Sequence, residues 1–193
     1  MPTTLADIPE AELPDRYEVV NGRVVEIAPM SLFSAEIANR VRDELAIYGR
    51  TSRRGRARND MLFRIPQAED QTRNRAPDVA FISFDRWPEA RPLPYRGNPA
   101  NAVPNLAVEV VSPTDEAEDV LAKAHEYLRG GVELVWVIYP LTRQLYAYTA
   151  PNAPPRLFTD ADTLDGGTVL PGFSAPMADL FPAMADEPAA DDE

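Results

Sequence analysis

The 193-residue chain reads as an α/β domain, a mixed β-sheet core flanked by helices. Two nearly unbroken apolar runs, one opening at Asp78 and ending at Ser83 and one from Leu106 to Val111, have the length and composition of strands covered on both faces. Two other segments carry apolar residues at helical spacing. The stretch from Leu106 to Ile138 alternates strand, helix and strand, which predicts a crossover between neighbouring parallel strands.

Taken in order, residues 1–14 are polar and proline-containing and read as a flexible arm. Tyr17–Val20 and Arg23–Ile27 flank Asn21-Gly22, a pair whose residues both tolerate positive φ, so a hairpin is predicted. Ile37, Val41, Leu45 and Tyr48 form one stripe of a helix that starts near Ser31 or Ser34, with Gly49 as its stop. Met61–Ile65 reads as a strand closed by Pro66, and 67–77 as a polar loop. Pro88, Pro92, Pro94, Pro99 and Pro104 mark 85–104 as a surface loop. Ser112–Glu116 has the capping hydroxyl and early acids of a helix start, and Gly130-Gly131 the stop of that helix. Leu134–Ile138 and Gln144–Thr149 are further strands. Gly166-Gly167 marks a turn, and a short segment around Leu180 closes a domain spanning 15–183. The acidic residues 184–193 read as a disordered tail.

Composition excludes several classes. The chain has no cysteine, so disulfides and thiolate metal sites are ruled out, and a cytoplasmic protein fits. A single histidine, His125, cannot build an imidazole zinc site within one chain. No apolar run reaches the roughly 18 residues of a membrane span, and the N-terminus lacks the pattern of a secretory leader, so no membrane partner is expected. The net charge of -12 argues against a general nucleic-acid coat protein, because phosphate neutralisation needs lysine and arginine. The charge is uneven, however. Arginines crowd 50–58, and Arg64, Arg73 and Arg75 follow. Arg53, Arg54, Arg56, Arg58 and Arg75 are therefore candidate nucleic-acid contacts; the alternative is that they solvate a loop and balance nearby acids.

The chemistry-bearing residues are charges where the pattern calls for hydrophobes. Asp78 opens one buried strand and Glu109 interrupts another. Lys123 shares the stripe of Val120, Ala124, Tyr127 and Leu128 on the following helix. Asp119, one turn earlier, is placed to pair with Lys123. A buried charge is costly unless paired, hydrogen-bonded or metal-bound. Two carboxylates near a strand's C-terminal end suit a hard cation such as Mg²⁺, or Mn²⁺, completed by waters and phosphate oxygens. A lysine beside such a water would orient it. The plainer alternatives are a lysine snorkelling to water, an acid capping the turn after Pro77, and an acid on the open face of an edge strand. Glu18 and Glu26 read as exposed hairpin acids, with an outer-shell metal ligand as the alternative for either, His125 as a surface or crevice residue, and Trp136 and Tyr127 as core aromatics.

These residues carry a family resemblance covering roughly Tyr17 to Phe181. Tyr17-Glu18-Val19-Val20-Asn21-Gly22, Ala76-Pro77-Asp78-Val79-Ala80, Val108-Glu109-Val110-Val111-Ser112-Pro113-Thr114, Asp119 with Lys123 and Tyr127, and Gly131-Val132-Glu133 with Trp136 resemble the Uma family, group two, of restriction-endonuclease-like proteins in the PD-(D/E)XK nuclease superfamily. The resemblance implies a restriction-endonuclease-like fold and a metal-dependent endonuclease with DNA as substrate. Asp78 and Glu109 match its metal-binding acids, and Lys123 matches a catalytic lysine relocated from position 111 to the helix. Asp119 and Tyr127 stand as supporting residues. Ser34 replaces a histidine common in the family, and Ile138-Tyr139-Pro140 lacks an acid before the proline. The competing class is a binding or scaffold protein, in one form a homodimer, that keeps the fold without turnover.

Overall fold

The computed structural model describes residues 13–92, 100–113 and 115–184. Most of the expected arm (1–14), nearly all of the expected tail (184–193), the middle of the proline-rich loop and Thr114 lie outside the described residues.

The hairpin forms as its turn chemistry requires. β1 (Tyr17–Val20) pairs antiparallel with β2 (Arg23–Glu26), Val20 opposite Arg23, around Asn21 (φ 52°) and Gly22 (φ 73°). The helix α1 (Leu32–Ser52) starts on Ser31, whose hydroxyl accepts the Ser34 N–H at 3.1 Å. It does not stop at Gly49 but runs one turn further, to an arginine cap, Arg53, in the left-handed region.

Gly49 serves close packing instead. A Cβ there would sit 2.5 Å from the Gly55 carbonyl oxygen, and one on Gly55 would sit 2.3 Å from the Ile82 oxygen. Gly55→Ala is therefore expected to destabilise the fold by about 1–3 kcal/mol. Urea denaturation measures this, and a change below about 0.5 kcal/mol would mean that the backbones separate freely.

The arginine-rich segment is a strand, not a loop. β3 (Gly55–Asn59) is the edge of a six-stranded sheet with order β10-β9-β8-β7-β6-β3. Its other members are β6 (Val79–Ser83), β7 (Leu106–Val110), β8 (Leu134–Tyr139), β9 (Gln144–Tyr148) and β10 (Arg156–Phe158). β7 and β8 are parallel, joined through α2 (Ala117–Arg129), and the other pairs are antiparallel. A second sheet, β2-β1-β5-β4, adds β4 (Phe63–Arg64) and β5 (Asn74–Arg75), the latter inside the expected polar loop. β11 (Thr163–Gly166), β12 (Leu170–Pro176) and a 3₁₀ turn at Met177–Leu180 complete the chain.

The apolar strands are covered on both faces, as their composition predicts. Val79, Phe81, Val108, Val110, Trp136 and Ile138 pack with Ile37, Val41 and Leu45 of α1. The alternate residues Ala80, Ile82, Ala107, Val135 and Val137 pack with Ala124 and Tyr127 of α2. This alternation sends Glu109, between Val108 and Val110, to the α2 side.

The α2 helix starts later than the acids and hydroxyl at 112–116 suggest. Glu116 precedes it without a side-chain cap, and Asp115 instead accepts the Ser112 N–H at 2.8 Å, closing a turn ahead of the helix.

Candidate active site

Asp78 immediately precedes β6, and Glu109 lies within β7. The register pairs Val79 with Val108, so one step further places Asp78 across from Glu109. The Val110 N–H donates to Asp78 Oδ2 at 2.8 Å and fixes that carboxylate. The Lys123 ammonium, on α2, lies 2.9 Å from Glu109 Oε2 and 3.3 Å from Glu18 Oε1. The buried Tyr127 hydroxyl donates to Glu109 Oε1 at 2.7 Å. Asp78, Glu109 and Lys123 thus line one cleft of about 350 Å³, together with Arg16, Met30, Ser112, Asp115, Glu116 and Asp119.

The other expected site residues are distributed differently. Asp119 is exposed on the cleft rim, and Lys123 takes Glu109 and Glu18 as partners in its place. None of the five candidate arginines lines the cleft. Arg53 and Arg56 line a separate groove with Arg50, Phe84 and Glu89. Gly55 pairs with Ser83 at the end of β6 remote from Asp78, about 17 Å away along the strand. Arg54 is exposed, and Arg58 donates to the Ala57 carbonyl. Arg75 does not belong to a phosphate-facing surface. Its guanidinium is bound by Glu18 and by both oxygens of Glu126, through hydrogen bonds from all three of its nitrogens.

Two acids of this region are buried beyond what the sequence suggests. Glu18, expected to be exposed, is 4% accessible and accepts the Ala76 N–H, Arg75 and Lys123. Glu126 is 6% accessible and binds Arg73 and Arg75. Nothing in the helix pattern marks it, since it lies off the stripe of Val120, Ala124 and Tyr127 and its partners sit on another part of the chain. The hairpin pattern does not show that Glu18 is buried.

Burial and mutual charge shape the ionisation. Burial, and then the neighbouring Glu109, push the Asp78 carboxyl up to about 7. Burial also raises Glu109, with Lys123 opposing and Glu18 adding to the effect. Burial acts to lower Lys123, but Glu109, Glu18 and Asp78 outweigh it and hold the ammonium charged well above its ordinary range. Burial would raise Glu18, yet Lys123 and Arg75 bring it below its usual value. Burial and then Glu109 keep the Tyr127 phenol protonated, so it can only donate to that carboxylate.

The raised Asp78 value has a consequence for stability. Between its unfolded value, about 4, and about 7, the folded state holds the extra proton. Stability is therefore lost as pH rises through this window and stays lower above it. Metal-free Asp78→Asn is expected to be more stable than the native protein at pH 8, the gap closing towards pH 4 in urea titrations. A gap that widened on acidification would contradict this environment for Asp78.

Among the described residues, no group of three or more histidine, cysteine, aspartate or glutamate side chains is arranged to hold a metal, and no helix is long and apolar enough to cross a membrane. No curated protein matches the chain. A crystal structure from Anabaena variabilis ATCC 29413, described as "a putative nuclease belonging to DUF820", matches in fold with a TM-score of 0.69 and 19% sequence identity, over 93% of this chain and 98% of that one. The family Uma2, described as "Putative restriction endonuclease", matches residues 4–178. With a sheet, two helices and a sequence match over most of its length, the chain belongs to the Uma2 family.

Proposed function

We propose that this protein is a metal-dependent endonuclease that hydrolyses DNA phosphodiester bonds at Asp78, Glu109 and Lys123. One observation carries the reading: two carboxylates and a lysine, distant in sequence, share one solvent-reachable cleft. The family and the fold-related nuclease support it.

The donor set fits Mg²⁺ or Mn²⁺. Burial first and the neighbouring Glu109 second raise Asp78, and a cation between the two carboxylates would offset the second of these. Hard cations take one or two carboxylates and complete their shell with water and phosphate oxygens, so two acids suffice. Asp78 and Glu109 would hold the ion, which when bound supplies charge neutralisation at the phosphate and a more acidic water.

The protein's own groups do the remaining work. The Val110 N–H and the Tyr127 hydroxyl fix the two carboxylates. Lys123, kept cationic, presents hydrogen-bond donors at the cleft, where charge develops on the phosphate oxygens. Arg16 also lines the cleft, with its guanidinium paired to Asp60. Arg53, Arg54, Arg56 and Arg58 would meet DNA further along, at the sheet edge.

A second reading keeps the fold as a binding or scaffold protein. The acidic lining favours it, since Asp115, Glu116 and Asp119 join Asp78 and Glu109 around the cleft and repel phosphate unless a cation intervenes. Supercoiled plasmid incubated with Mg²⁺ or Mn²⁺ and with chelator separates the two. Nicking that requires the ion and is lost in Asp78→Asn supports the nuclease; equal traces from both proteins support the scaffold.

A further inference from the structure

We propose that Glu18 is a positioning residue that keeps the Lys123 ammonium at the cleft when Glu109 is drawn towards a cation, an inference that rests on the nuclease reading above. Glu109 has two demands on it. One oxygen holds Lys123, and the same carboxylate is a candidate ligand. A lysine anchored by that carboxylate alone would lose its partner when the ion arrives.

Glu18 has no such freedom. Its Oε1 accepts the Ala76 N–H at 3.1 Å and lies 3.3 Å from Lys123 Nζ, and its Oε2 is held by Arg75. Turning to a cation would take from Arg75 one of its two carboxylate partners and leave the buried Ala76 N–H unpaired, so Glu18 stays where it is. Arg75 also grips Glu126, one helical turn from Lys123. The small sheet therefore clips α2 at two successive turns, by Glu18 at Lys123 and by Arg75 at Glu126. The two carboxylates around Lys123 divide the work: Glu109, held through its other oxygen by Tyr127, can give up Lys123 for a cation, and Glu18 cannot. Support of this kind around a reacting group typically accounts for about 10–100-fold in activity.

A double-variant cycle in saturating Mg²⁺ tests this. Glu18→Gln is expected to lower kcat for plasmid nicking by about 10–100-fold, with KM and calorimetric Mn²⁺ affinity within about twofold of the native values. In a Lys123→Ala background the same change is expected to add nothing, because Glu18 acts through that lysine. An equal loss in both backgrounds, or an unchanged kcat, would overturn the proposal. The ¹H–¹⁵N signal of the Lys123 ammonium in Mg²⁺ gives a readout independent of turnover. It is expected in the native protein and lost in Glu18→Gln, and its persistence in the variant overturns the clamp. Should Glu18→Gln not fold, Glu18→Asp, which keeps the charge but shortens the reach, is expected to give the same losses. If the native protein nicks nothing, the nuclease reading falls, while the ammonium signal still decides the role of Glu18.

Discussion

Asp78→Ala and Lys123→Ala are each expected to slow metal-dependent plasmid nicking by about 10²–10³-fold, the range found when one preorganised electrostatic group is removed from an active site. The two losses should differ in origin. Asp78→Ala removes half of the protein's carboxylate set, so calorimetric Mn²⁺ binding should weaken along with the rate. Lys123→Ala leaves both carboxylates in place and removes the cation that offsets Glu109 and Asp78. It should retain Mn²⁺ binding, and excess metal should not restore its rate. Asp78 must also lose a proton to hold a cation, and its carboxyl sits at about 7. Mn²⁺ affinity in the native protein should therefore rise with pH through neutrality. Identical nicking traces from the native protein and both variants would remove the catalytic reading, and full Mn²⁺ affinity in Asp78→Ala would remove Asp78 as a ligand.

Much of the sheet was legible because its signals are local or absolute. Asn21-Gly22 dictates a turn through two residues that accept positive φ, whatever the rest of the chain does. The strands at 79–83, 106–110 and 134–139 show as apolar runs because helices cover both of their faces. The same property exposed the site, since a glutamate within such a run must be answered by something. β3 was illegible for the opposite reason. As an edge strand it buries Gly55 and Ala57 and leaves its arginines only partly covered, so its composition reads as a loop. β5 is two polar residues, ordered by pairing with β1 and β4 and by charges reaching in from elsewhere. Arg75 reads as outward-facing because a group of arginines does not reveal which of them points in. Its partner Glu18 lies 57 residues away and its partner Glu126 lies 51 away, and no pattern within a single element connects them.

Those long-range charges make the second large prediction, Glu126→Ala. Glu126 Oε1 accepts Arg75 Nε at 2.7 Å, and Oε2 accepts Arg73 Nη1 and Arg75 Nη2, each at 2.7 Å. Arg73 continues to Asp70 at 3.1 Å and to the Asn21 side chain at 2.6 Å, tying the hairpin turn to α2. The side chains of Arg73 and Glu126 are 9% and 8% exposed, so little water is at hand to replace a lost partner. Truncating Glu126 leaves two guanidiniums short of a counter-charge, which in buried pairs costs about 3–5 kcal/mol. The exposed pair Arg156–Asp165, at 62% and 41%, supplies the contrast, with Asp165→Ala expected to cost at most about 1 kcal/mol. Urea denaturation of the two variants checks both figures, and a Glu126→Ala cost as small as that of Asp165→Ala would show that the network is solvated. The ordering matters for the site as well as the fold. Arg75 loses its grip on α2 without Glu126 but keeps Glu18, so the helix that carries Lys123 is freed from the small sheet at one of two points. Glu126→Ala should then lose activity on warming before it unfolds, whereas Asp165→Ala, in the separate β11–β12 pair, should not.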